Sequence, residues 1–314
     1  MNHMYAIVEK ILFVILIMSS GVLAKKLRLI SDEGEKDISA LMIDLVYPAF
    51  IFSSIVTTLS AGDILSNILL PVLSFGIHLI GYILGIAICR IAGYTGERRK
   101  ILVLHAAMNN FLAMALPFAL FFFPVKGAAL LAVANLGSIL ALWTLGVFAV
   151  AGNQGLRTTI KNIFSPGLAV TIAAILCVLS GLNAYIPVLF SDALTAIGGP
   201  TLFLGLLIAG TQIYKLGRRA LKFDGWNILV GLARNILVPG ILFALALLLK
   251  NSLSRETLTI FMIVGVTPAS ANSITLALKF NVAPNLAAEG VVFTHVFGVF
   301  TMIAFIMLIE EFLL

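Results

Sequence analysis

Thr267-Pro268-Ala269-Ser270-Ala271-Asn272 interrupts one long apolar run, and Met108-Asn109-Asn110, with Pro117 after it, interrupts another. Each interruption lies about ten residues inside its run, roughly 15 Å deep if the run is helical, which is the level of a bilayer midplane. Amides and prolines are costly there, because no water satisfies the backbone groups they free. Such breaks are tolerated where they line a cavity, and a matched pair of them marks a secondary transporter.

The rest of the chain agrees with a lipid solvent. Of its 314 residues 61% are hydrophobic and 11% charged, under half the charge of a soluble domain. No polar stretch is long enough to be a soluble domain, so residues 1–314 read as a single membrane transporter domain. Cys89 and Cys177 both lie in apolar segments, without metal-binding or CxxC spacing, and read as small buried hydrophobes. The sequence contains no HExxH, Walker A or GxSxG signature, so no enzyme, metal or cofactor is expected, and a gradient is the expected energy source.

Ten segments are long enough to span: 6–24, 38–59, 64–90, 101–123, 127–151, 165–181, 187–214, 226–249, 257–278 and 286–309. Charge alternates across their linkers. The odd linkers hold Lys25, Lys26, Arg28, Lys36, Arg90, Arg98, Arg99, Lys100, Arg157, Lys161, Lys215, Arg218, Arg219, Lys222 and Lys279, whereas the even ones hold Lys126, Lys250 and Arg255. Basic loops stay cytoplasmic. The chain is therefore expected in the cell (inner) membrane as a multi-pass protein with both termini on the non-cytoplasmic side. Residues 1–151 and 165–314 form two five-helix halves around a cytoplasmic linker, 152–164. An odd number of helices per half inverts the second half, and the halves echo each other in Tyr47-Pro48 against Gly199-Pro200 and in the two polar breaks. The fold class expected is all-α integral membrane, ten helices in a 5+5 inverted repeat, with helices 4 and 9 broken.

The breaks suggest their chemistry. Thr267 suits a helix N-cap and Pro268 a first helical residue, so a half-helix is expected to start there, with another starting at Asn109-Asn110. Two such N-termini meeting at one depth offer free N–H groups and partial positive charge, an anion site without a metal. Asn109, Asn110, Thr267, Pro268, Ser270 and Asn272 are the candidate substrate-binding residues; Pro48, Pro117 and Pro200 shape the helices around them. The bland alternative is polar glue between packed helices. Four ionisable residues are candidates for ion or proton coupling: Asp44, Arg234, Glu289 and His295. Each has a competing structural reading. Arg234 either serves as a counter-charge or snorkels to the interface. His295, like His105, either takes a proton or packs as a hydrogen-bonded ring. Asp44 either binds a cation or supports the Pro48 kink, and Glu289 lies where it can reach water.

Pro268 to Leu278 with Lys279-Phe280-Asn281-Val282-Ala283-Pro284, the Asn110-to-Pro117 spacing, Tyr47-Pro48, Gly199-Pro200 with Gly205, and Arg234 with Pro239 together resemble the auxin efflux carrier family. That family includes plant PIN-type auxin exporters and bacterial malonate-transporter-like proteins, and this chain resembles a bacterial-type member. The resemblance implies a fold similar to sodium/proton antiporters and bile-acid symporters, a scaffold and a crossover part moving as an elevator, and a small organic anion as substrate flanked by Asn110 and Pro268. Plant members place proline immediately before the fourth-helix asparagine, where this chain has Asn109, and many carry a long cytoplasmic loop absent here. The function expected is secondary transport of a small carboxylate, with a proton or sodium ion as candidate coupling ion and a homodimer as candidate assembly. A cation/proton antiporter on the same fold and a transporter-like anion sensor are the alternatives.

Overall fold

Serine and aspartate caps set where the helices begin. Ser31 Oγ accepts from the Gly34 N–H, Ser60 and Asp63 form a reciprocal capping box, and Ser165, Asp224 and Ser254 each cap a later start. The structure, a computed structural model, describes residues 2–152, 165–216 and 222–313. In chain order the helices are α1 (Asn2–Lys26), α2 (Asp32–Thr58), α3 (Ala61–Ala92), α4 (Gly96–Ala107), α5 (Phe111–Phe122), α6 (Gly127–Ala151), α7 (Pro166–Leu179), α8 (Val188–Lys215), α9 (Gly225–Leu249), α10 (Arg255–Gly265), α11 (Asn272–Lys279) and α12 (Pro284–Leu313). The described residues are all-helical, without named strands. Six of the helices, α2, α3, α6, α8, α9 and α12, are long and apolar enough to cross a membrane. The expected linker 152–164 falls, apart from Gly152, outside the described residues.

Proline leaves its mark on two of the long helices. A widened π turn at Met42–Val46 precedes Pro48, and another at Ala233–Leu237 precedes Pro239. Proline has no N–H and its ring crowds the carbonyl four residues back, so a local widening of the turn keeps the helix continuous.

The helices pack as two groups. In the first, α1 lies along α8, and α2 packs on α7 and α8. The α1–α8 seam is backbone on backbone: a Cβ at Gly21 would run into the Leu207 carbonyl, and one at Gly210 into that of Met18. At one end Lys25 and Lys215 share Asp32 and Glu35, at 2.8 to 3.3 Å, tying α1, α2 and α8 together. Gly198, two residues before Pro200, sits directly against the backbone of Phe50, two residues after Pro48. In the second group α3 packs on α4 and α6, α5 on α6, and α12 on α9, α10 and α11. The α3–α4 contact is close enough that a Cβ at Gly81 would strike the Ala106 carbonyl. Of two buried apolar clusters, one around Phe118, Leu130 and Ile263 reaches into the first group through Ile51, Ala174 and Leu206, and the other, around Leu102, Leu104 and Met108, lies within the second.

Candidate functional site

Two helices of the second group stop and restart. α4 ends at Ala107, Met108 is extended, and α5 begins at Phe111 with Asn110 as its cap residue. α10 ends at Gly265, and α11 begins only at Asn272. The two gaps lie side by side as a short antiparallel pair: the Asn110 N–H donates to Pro268 O at 2.8 Å, and the Ser270 N–H to Met108 O at 3.0 Å. Each break thus satisfies backbone groups that the other frees.

That pairing corrects one expectation. Thr267 and Pro268 do not start the second half-helix. Residues 268–270 are drawn into the antiparallel pair, Ala271 becomes the cap residue, and the Asn272 N–H is received by Ser270 Oγ. Thr267 Oγ donates backwards to Val264 O at 2.9 Å and is fully buried. The Pro268 ring rests on Gly298 of α12, and the Ala269 N–H is held by Thr294 Oγ.

The C-terminal ends of α4 and α10 leave carbonyls that need donors. Arg234, on α9 and fully buried, supplies most of them. Its Nε donates to Thr267 O at 2.9 Å, one terminal nitrogen to Gly265 O at 2.7 Å, and the other to Ala106 O at 3.4 Å. It neither snorkels nor faces a carboxylate among the described residues. Its full positive charge answers two helix C-termini worth about −0.5 each. Asn109 Nδ2 covers Val264 O at 3.0 Å. His78 on α3 covers Ala107 O through Nδ1 at 2.8 Å. A carbonyl only accepts, so Nδ1 carries the hydrogen and Nε2 accepts from Ser138 Oγ at 3.0 Å, with Ser74 behind it at 2.8 Å.

The opposite ends of the breaks face open space. A cavity of about 520 Å³ lies between the two helix groups. Asn110 and Phe111 at the start of α5, and Ala271 and Asn272 at the start of α11, line it together with Asn109 and Ser270. Sequence reasoning missed His78, Asn135, Ser138 and Gln212, which line it too. Asn135 is fixed by donating to the Tyr47 hydroxyl at 2.8 Å. Each is a polar residue within an apolar segment, the same signal that exposed the asparagine pair. Among the described residues no Asp, Glu, Lys or Arg lines the cavity.

The other candidates sit apart. Thr267, Pro268 and Pro117 are buried and do not line the cavity, and neither do Pro48 and Pro200. Asp44 is exposed within the π turn of α2, away from the cavity lining. Glu289 forms an ion pair with Lys222 at 2.7 Å. His295 is buried beside the first break and touches Asn110. His105 is fully buried, its ring against Gly290. No metal-holding group of three or more His, Cys, Asp or Glu occurs among the described residues.

Comparison with known proteins points one way. The profile of a family described as "Membrane transport protein" matches residues 6–159 and 155–306. A protein of Methanocaldococcus jannaschii described as "Uncharacterized transporter MJ1031" is 24% identical over 300 residues, covering 92% of this chain and 94% of its own.

Proposed function

Because the chain belongs to the membrane transport protein family, that of the auxin efflux carriers, we propose that it is a secondary carrier for a small carboxylate anion. The observation that carries this reading is the asymmetry of the paired breaks. Their C-terminal, negative ends are covered by Arg234, His78 and Asn109, while their N-terminal, positive ends open into a cavity without an acidic side chain. Two helix N-termini, that of α5 without a side-chain cap and that of α11 capped only by Ser270, with Asn109, Asn110 and Asn272 around them, favour an anion over a cation. The cavity's volume, about 520 Å³, suits a small organic molecule.

The two helix groups support an elevator cycle. α1, α2, α7 and α8 act as the scaffold, the remaining helices carry the breaks, and the cavity lies on the boundary. The ten-span 5+5 arrangement, with α4–α5 and α10–α11 each spanning as one interrupted helix, is part of this proposal. By the charge of the loops, the cavity's rim at Ser39, Ser165 and Gln212 faces the cytoplasm, so the conformation is inward-open.

A thermal-shift assay on purified protein with acetate, benzoate, malonate and succinate, in sodium and in potassium buffers, tests the reading. At about 100-fold excess over Kd one acid is expected to stabilise by about 2.7 kcal/mol. Asn110→Ala is expected to abolish that shift and transport while retaining folded protein. A chain that ignores all four acids, or that carries sodium without them, is not this carrier.

A further inference from the structure

His295 lies against the back of the site. Its Nδ1 is 2.8 Å from Val291 O, and its Nε2 is 2.8 Å from Asn110 Nδ2. The Val291 carbonyl only accepts, so Nδ1 carries the ring hydrogen. In the neutral ring Nε2 is then a lone pair, and Asn110 must turn its NH2 toward it. Asn110 lines the large cavity and also a second void of about 20 Å³, which it shares with His295, Gln212 and Ala271. Its amide oxygen has no protein donor among the described residues. With His295 neutral, therefore, Asn110 offers the cavity its oxygen, an acceptor that disfavours a carboxylate.

Protonation reverses that offer. A hydrogen on Nε2 needs an acceptor, so the amide rotates by half a turn, gives its oxygen to the ring and presents its NH2 to the cavity. We propose that His295 is the proton-coupling site of the carrier, acting through the amide of Asn110, so that one proton is bound and carried with each carboxylate. This rests on the anion-carrier reading above. The proton comes from water in the cavity, and the 20 Å³ void beside the ring is large enough for one water to relay it. Imidazolium and monocarboxylate together add no net charge to the loaded site. A dicarboxylate carried with one proton leaves one negative charge.

Of the ionisable groups around the ring, several are committed to partners, whereas both ring nitrogens of His105 are buried without a hydrogen-bond partner among the described residues. Buried with it on packed helices are His105 on α4, against Gly290, and Arg234 on α9, committed to three carbonyls. Glu289, on its own helix, is paired with Lys222. On α1 and α8, Lys25 and Lys215 are paired with Asp32 and Glu35. Glu97, Arg98, Arg99 and Lys100 begin α4, Arg255 and Glu256 begin α10, and Lys279 ends α11 beside the Trp143 and Phe280 rings. His295 differs from His105 in touching Asn110, a residue of the cavity wall, so a proton on its ring reaches the site.

The chain has only four histidines, so nitrogen-15 histidine labelling resolves each ring by NMR. Without acid at neutral pH, His295 is expected as the neutral Nδ1–H form. Adding acetate or malonate is expected to convert it to imidazolium. The assignment comes from His295→Gln and, independently of that variant's folding, by elimination with His3→Gln, His78→Gln and His105→Gln. Wild-type affinity for the acid is expected to fall about tenfold per pH unit above the midpoint, and His295→Gln to flatten that slope. In weakly buffered vesicles, entry of acetate is expected to carry protons inward. A ring that stays neutral with acid bound, or a proton appearing on His78 or His105 instead, overturns the coupling while leaving the carrier intact. Failure of acetate, benzoate, malonate and succinate all to bind at any pH overturns the carrier reading, and the coupling with it.

Discussion

The two breaks in the helical bundle solve one problem with different chemistry. The first spans only Met108–Asn110, and its freed Ala107 carbonyl is met by the His78 ring. The second spans Val266–Ala271, and its carbonyls at Gly265 and Thr267 are met by the Arg234 guanidinium. A longer interruption frees more backbone at once, and a planar fork with several donors serves separate carbonyls where an imidazole serves one. The second break thus holds a fixed charge. The first receives one longer bond from Arg234, at Ala106 O, and is flanked by two imidazole rings, His78 on one side and His295 on the other, which is where a proton can change the site's character.

Removing the donors in turn tests that contrast. Arg234→Ala strands carbonyls from both helices in a dry interior and is expected to cost about 3–5 kcal/mol, read as loss of folded, monodisperse protein in detergent. Arg234→Lys is expected to recover part of this, since an ammonium cannot span three carbonyls. His78→Ala strands Ala107 O alone and is expected to cost about 1–3 kcal/mol in the same melt. Equal losses at Arg234 and His78 would erase the distinction between the breaks. Thr267→Val removes a hydrogen bond to a carbonyl that Asn109 also serves. About 1 kcal/mol or less of stability is expected to go, with carboxylate affinity unchanged; a large affinity loss would return Thr267 to the binding surface. Glu289→Gln breaks a partly exposed ion pair outside both breaks and is expected to cost at most about 1 kcal/mol, with the pH dependence of acid binding unaltered.

What the sequence made legible was the position of each interruption. An amide pair or a proline deep inside an apolar run conflicts with its surroundings, and Asn109-Asn110 and Thr267-Pro268 both betrayed themselves in that way. Helix extents followed from the same contrast: the run 64–90 lies within α3, and the run 101–123 contains the end of α4 and all of α5. What stayed hidden depends on contacts distant in the chain. Arg234 reaches carbonyls 31 to 128 residues away, and His78 one that follows by 29. Nothing local distinguishes such a donor from a snorkelling or packing side chain. Thr267 misled for a related reason: its hydroxyl can cap forwards or bond backwards to Val264. The choice was made by strand-like pairing of residues 268–270 with 108–110, which no local rule contains. The ten-span inverted arrangement itself rests on loop charge and family membership rather than on the six long helices.

The two main-chain bonds that stitch Asn110 to Pro268 and Ser270 to Met108 make the two interruptions one object. A carrier whose recognition surface is knotted across both halves cannot reshape one face independently of the other. It must show the same surface to whichever compartment it opens toward. In the carrier proposed above, selectivity is then expected to be the same for uptake and release, and a substitution that changes which acid is chosen to change it in both directions at once.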